Sequence, residues 1–466
     1  MMMKKPFTLL LLAFTAGIHA QALDPEKIFA RDLATIDSLP QLLELADKTL
    51  QEEQYSRYEL VMKKLTELRP YDPVFRLDLA KAYALQDKKT EAYNDLIELQ
   101  KAGLSYPVTE HSGFDLIKDT KVFEYIEDGM EQNAQAFGEG KQAFAVSHHY
   151  SGMLFENLAW DAKAERFLLG SVRSGAVYQY DEESGFSEFF KAGNPATGPW
   201  GVIDLVIDQS ADLLWLATAT LPHYTGTTQQ NFGQAMISKI RLSTGEVLKN
   251  MSMAKSDQPK LFTAMHLTTS GDLYFINAFD STFFRVKNGQ ETVEPVLALP
   301  GLSNIKAITS NAAESVLYVS DYELGLFVIN LESLQVVPLI KGGKGFFAGM
   351  NDLFYDDGDL IGIQSGVQPA RLMRYVLEKD LFLKNLFPIE ASHPEFKDLG
   401  NGTLVGDHVF YAANTQWAKT DGLGRLLPNS SWEPLVIIKS PTRYRMEEHM
   451  LQQQKMEEIK RKRGLK

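Results

Sequence analysis

From residue 155 onward, apolar and polar positions alternate in short runs, and one unit recurs six times: 156–170 (ENLAWDAKAERFLLG), 203–217 (IDLVIDQSADLLWLA), 263–277 (TAMHLTTSGDLYFIN), 304–320 (NIKAITSNAAESVLYVS), 351–364 (NDLFYDDGDLIGIQ) and 401–414 (NGTLVGDHVFYAAN). Each reads as an apolar-rich strand, a polar turn with Asp, Gly or Ser, and a second strand rich in Tyr, Phe, Val or Leu. The units start about 40 to 60 residues apart, the spacing of four-stranded blades with loops of uneven length. A lone blade leaves a face uncovered, so six must stack in a ring. The predicted fold is mainly β: a six-bladed β-propeller over residues 143–440.

Residues 23–135 have a helical period instead. Leu45-Ala46 and Leu79-Ala80 stand 34 positions apart, Tyr83 and Ala92 follow the second pair, and Pro70 falls between them. Asp72-Pro73 is a helix-start signal. The spacing resembles the tetratricopeptide repeat, in which small residues let paired helices approach closely. That resemblance implies a surface for a protein partner, or else a structural cap. Fewer than about three such repeats are marginal alone, so the segment should dock on something else. Gly138-Glu139-Gly140 marks the linker.

The ends of the chain differ from its body. Lys4 and Lys5 precede an apolar run from Phe7 to Ile18 and a cleavage-type Ala20-Gln21-Ala22. Residues 1–22 therefore read as a secretory signal, the run being short of the roughly 20 residues a span requires. This places the mature protein in the periplasm or outside the cell, with no transmembrane segment after cleavage. The chain has no cysteine, which removes disulfides, thiolate nucleophiles and Cys–zinc sites, so stability must come from core burial. A formal charge of −13 argues against nucleic acid as a partner. Residues 441–466 form a basic tail, helical or disordered, ending in Lys460-Arg461-Lys462-Arg463.

In a propeller, the residues that begin each innermost strand and those that end the next strand converge on one mouth of the axial channel. The first set includes Glu156, Asn157, Asp204, Thr263, Asn304, Asn351, Asp352 and Asn401; the second includes Asn277, Asp280, Asp321, Gln364, Asn414 and Gln416. These oxygen-bearing side chains suit a hard cation such as Ca2+, which takes about six to eight oxygen ligands. The loop from Leu221 to Gly233 should overhang that mouth, presenting His223 and Tyr224, with Trp200 as an aromatic wall. The candidate ligand-binding residues are then Asn157, Trp200, Tyr224, Asp321, Gln364 and Asn414. No G-x-S-x-G, H-E-x-x-H, G-x-x-x-x-G-K-[ST] or G-x-G-x-x-G is present, so these enzyme classes have no local support.

Glu156-Asn-Leu-Ala-Trp160-Asp161, and Asp208 followed by Leu214-Trp215-Leu216, resemble the blade motifs of the gluconolactonase/regucalcin propellers and, more distantly, the yellow/royal-jelly proteins. The resemblance implies a divalent cation held by acidic and amide residues opening blades one, three and four. Those positions fall on Glu156, Thr263 and Asn304, so only the Glu is kept. Glu156, Asn304 and Asn351 are the candidate metal ligands for Ca2+ or another divalent cation; Asp204, Asp352 and His223 are the candidate catalytic groups. Two readings stay open: a propeller that binds a small ligand or a protein partner, and a metal-dependent lactonase or esterase.

Overall fold

The computed structural model describes residues 24–110, 112–253, 258–339, 345–443 and 446–464; the expected signal segment lies outside them. The chain divides into two compact units, residues 1–61 and 62–466. In the first, α1 (Pro25–Ala34) is capped by Asp24, whose carboxylate accepts the Glu26 N–H at 3.1 Å. It is followed by α2 (Leu39–Gln51) and the start of α3 (Tyr55–Leu68), where Arg57 pairs with Glu26 at 3.0 Å.

The second unit holds α4 (Pro73–Ala84), α5 (Lys89–Lys101), α6 (Lys121–Asn133), the propeller and α7 (Met446–Lys462). Asp72 caps α4 at 2.8 Å with Pro73 at the first helical position, as the Asp-Pro signal implies. Ala80, Ala84 and Ala92 are buried where α4 meets α5. The same apolar cluster takes in Phe346 and Val367 of the propeller. Polar contacts reinforce this docking: the Ser105 N–H donates to Gln368 O at 2.8 Å and Arg371 Nη1 to Ala102 O at 2.7 Å. At the C-terminus, Arg463 reaches Glu124 and Asp128 of α6 at 2.9 and 2.7 Å.

Six four-stranded antiparallel sheets make the propeller. The innermost strands of blades 1 to 6 are Phe155–Asp161, Gly201–Asp208, Phe262–Leu267, Ile305–Ser310, Met350–Asp356 and Gly402–Val405. Blade 6 is completed by a strand from the other end of the propeller sequence, Lys141–Ala145, which pairs with Val436–Pro441 and shuts the ring.

The core lies in the seams. Each pair of neighbouring blades shares its own apolar cluster, represented by Leu168 with Leu214 (blades 1 and 2), Trp215 with Phe275 (2 and 3), Phe283 with Leu317 (3 and 4), Tyr318 with Tyr375 (4 and 5), Ile363 with Val409 (5 and 6) and Phe410 with Phe167 (6 and 1). This explains the strand composition: a sheet covered on both faces needs apolar side chains on both, so its second strand loses polar alternation. Leu213–Ala219 is buried at every position.

Phe347, fully buried in the seam of blades 4 and 5, meets the Tyr71 ring edge-on at 5.3 Å and Tyr375 at 6.1 Å. Phe347→Ala should cost about 3–5 kcal/mol in urea unfolding, the usual cost of an aromatic-sized cavity. A loss below about 1 kcal/mol contradicts this packing.

Candidate functional site at the channel mouth

The axial channel encloses about 330 Å3 and is lined by all six innermost strands. Five of those strands slip register near their start, between Phe155 and Leu158, Val202 and Asp204, Thr263 and His266, Ile305 and Ala307, and Met350 and Asp352. A bulge re-aims side chains and leaves backbone groups without ladder partners. At the mouth, side chains of adjacent blades supply those partners.

Asp204 of blade 2 accepts the Met265 N–H of blade 3 at 2.6 Å, and its other oxygen takes the Leu205 N–H at 2.7 Å. Asp352 of blade 5 does the same with Gly402 of blade 6 at 2.8 Å and with Leu353 at 2.8 Å. Asn157 donates to Ile203 O at 2.6 Å, and Asn401 donates to Asn157 Oδ1 at 2.6 Å. Asn351 donates to Leu399 O at 2.6 Å and accepts from Ser365 Oγ at 2.9 Å. These residues reach the mouth as the strand pattern predicts, but the polar atoms named here are engaged in bonds that hold blades together.

The residues ending the second strands have a related task within each blade: they tie down the segment that enters it. Asn277 accepts the Leu261 N–H at 3.0 Å; Asp321 accepts the Ser303 and Asn304 N–H groups at 2.9 and 3.0 Å. Gln364 donates to Phe346 O and Ala348 O at 2.9 and 2.6 Å. Asn414 donates to Pro434 O at 2.9 Å and accepts the Val436 N–H at 2.8 Å. Asp321, Gln364 and Asn414 are buried. Trp200 and Tyr224 are also buried, packed on Met236, with the Trp200 indole N–H donated to Pro195 O at 3.0 Å, so neither forms an open wall.

What faces the opening is a smaller set. Glu156 of blade 1, half-buried, accepts the indole N–H of Trp417. Burial pushes its carboxyl up to about 7; the Lys306 charge and the indole bond pull the other way, and Asp398 adds to the rise. Lys306 of blade 4 is exposed, with its ammonium 5.8 Å from the Tyr322 ring centre. His223 packs edge-on to Trp417 at 4.9 Å, and burial and the Arg173 charge hold its pKa down. Arg173 donates to Gly424 O at 2.7 Å and stands 5.1 Å over Trp432. Sequence reasoning missed Lys306, Trp417, Arg173 and Trp432. Lys306 had a signal, a lone charge within an apolar strand; Trp417 lies in a non-periodic loop and had none.

Glu156, Asn304 and Asn351 do not come together as a hard-cation donor set. Asn351 is committed at both ends of its amide, Asn304 is drawn by its backbone to Asp321, and a lysine charge acts on Glu156. Among the described residues, no group of three or more His, Asp or Glu side chains is placed to hold a metal.

No protein family and no curated protein matches the chain by sequence. Solved structures resemble it across the propeller. A regucalcin, a calcium-binding protein from Agrobacterium tumefaciens, is 13% identical, with a TM-score of 0.45 over 65% of this chain and 96% of its own. The PQQ-bound aldose sugar dehydrogenase of Streptomyces coelicolor is 12% identical, with a TM-score of 0.43 over 66% and 99%. Virginiamycin B lyase from Staphylococcus aureus is 13% identical, with a TM-score of 0.40 over 59% and 82%. These likenesses concern the fold and leave the chemistry of the mouth to this chain's own residues.

Burial also pushes the Asp204 carboxyl up to about 7, with the Asp352 and Glu156 charges adding to the rise and the Met265 and Leu205 N–H groups opposing it. Its folded pKa thus stands above its unfolded value, so the folded state binds more protons between the two. The contribution of Asp204 to stability is fully present below about pH 4 and falls as pH rises to about 7. In chemical unfolding, the stability of wild type relative to Asp204→Asn should decline across that window. An advantage that grows with pH contradicts the assignment.

Proposed function

We propose that the protein is an extracytoplasmic binding protein that holds a small polar ligand at the propeller mouth. The observation that carries this reading is the division of labour among the axial residues. Asp204 and Asp352, the candidate bases, each spend both carboxylate oxygens on backbone N–H groups. The charged groups left to a ligand are Glu156 and Lys306, with the Trp417 indole beside the carboxyl. An ammonium and a carboxyl on opposite blades, next to an aromatic face, suit a ligand with an anionic group at one end and hydroxyl or amine donors at the other. A sugar acid or an amino acid has that chemistry. The extracytoplasmic setting rests on the signal-like pattern at Lys4, Lys5 and Ala20-Gln21-Ala22, and a protein partner on the helical segment is part of the same proposal. No helix among the described residues is long and apolar enough to cross a membrane.

A hydrolase of the lactonase or esterase class is the second reading. It draws support from Glu156, whose carboxyl near 7 suits proton transfer at neutral pH. Divalent-metal chemistry at Glu156, Asn304 and Asn351 fits less well, because the amides are already bonded and the local cation is a lysine.

The test is thermal unfolding of the mature chain with gluconate, gluconolactone, an amino-acid panel and Ca2+. A ligand at 100 times its Kd stabilises by about 2.7 kcal/mol. The binding reading expects a shift with an organic acid, lost in Lys306→Met and in Glu156→Gln, with no turnover of the lactone. Lactone hydrolysis abolished in Glu156→Gln supports the enzyme instead, and a Ca2+ shift abolished in that variant overturns the metal-free site.

A further inference from the structure

A second cavity, of about 830 Å3, opens at the far end of the sheets, where blade 6 meets blade 1. It lies beside the turns that join inner to second strands in those blades, so it is on the side of the propeller away from the mouth. Its size falls within the roughly 300–1,000 Å3 of small-molecule sites. Aromatic rings build its wall. Phe144 stacks on Tyr180 with centroids 3.9 Å apart; Trp160 meets Phe167 at 4.6 Å, and Phe167 meets Phe410 at 4.8 Å. Trp160 lines both this cavity and the axial channel.

The charge around that wall is one-sided. Glu165, Asp181, Glu182, Glu183 and Asp407 contribute five carboxylates to the lining, against a single lysine, Lys439. Asp181 is braced by the Glu183 and Ser184 N–H groups at 3.0 and 2.6 Å, and Asp407 by His408 Nδ1 at 2.6 Å. The Lys439 ammonium stands 5.4 Å from the Phe410 ring centre, so the wall already receives an alkylammonium from the chain itself.

We propose that this cavity binds a small alkylated ammonium compound, held by the aromatic wall and the surrounding carboxylates. Ring faces carry negative charge density and attract a cation within about 6 Å of the centroid. A strongly hydrated metal ion gains little from apolar walls, because they do not replace its water. An alkylated ammonium is weakly hydrated, fills apolar space with its methyl groups and keeps its charge for the carboxylates. Lys439 then acts as an internal competitor for the same ring face.

Isothermal titration of the mature chain with choline, and with its neutral carbon isostere dimethylbutanol, tests the assignment. Choline should bind saturably, and the isostere at least about tenfold more weakly, since it lacks the charge that the rings and carboxylates recognise. Lys439→Gln should tighten choline binding several-fold, and the triple variant Glu165→Gln/Glu182→Gln/Glu183→Gln should weaken it by a similar factor. All four substituted side chains are exposed, so folding is expected to survive and is checked by circular dichroism. Lys306→Met at the mouth should leave choline binding unchanged. Equal binding of choline and the isostere, weaker binding in Lys439→Gln, loss of binding in Lys306→Met, or no saturable choline binding at millimolar concentration each overturns the proposal.

Discussion

The molecule depends on satisfying the seams of a ring. Each sheet presents two apolar faces, and only neighbours on both sides can cover them, hence one shared cluster for every pair of adjacent blades. Around the axis the inner strands crowd together and bulge, so their first backbone groups lack partners in their own ladders. A buried N–H without a partner costs about 1–3 kcal/mol. The side chains of Asn157, Asp204, Asn351, Asp352 and Asn401 meet that need across blade boundaries. The polar ring around the channel is therefore a set of clasps.

That constraint shapes the functional reading. A carboxylate that accepts two N–H bonds in a buried position serves poorly as a mobile base or as a metal ligand, because leaving its donors has the same cost the clasp avoids. Blade 4 departs from the scheme. Where other blades present Asn or Asp at this level, it offers exposed Lys306, facing the field of Glu156. The loop carrying Trp417 reaches back over blade 1 and adds an indole to the same spot. Function is assigned to the positions that the clasping pattern leaves free.

Much of the architecture was legible because its cause is periodic. Alternation in units such as Leu273–Asn277 and Val316–Asp321 reports strands, and their repetition reports blades. Asp72-Pro73 likewise announced the start of α4. The roles of individual polar residues were less legible, because a one-residue bulge turns a side chain from the channel toward a neighbouring backbone, and nothing in the composition of Asp204 or Asn351 records that slip. Trp200 and Tyr224 look like a binding wall in sequence, yet both are buried against Met236. The closing strand Lys141–Ala145 was equally hidden, since its partner lies at the opposite end of the propeller sequence.

Amide hydrogen exchange at Met265 and Gly402 measures the clasps most directly. The account predicts protection approaching that of the seam core in the wild type, with the Met265 amide alone becoming fast in Asp204→Ala and the Gly402 amide alone in Asp352→Ala. Exchange at both amides as rapid as in an exposed loop, in a chain that is otherwise folded, would contradict it.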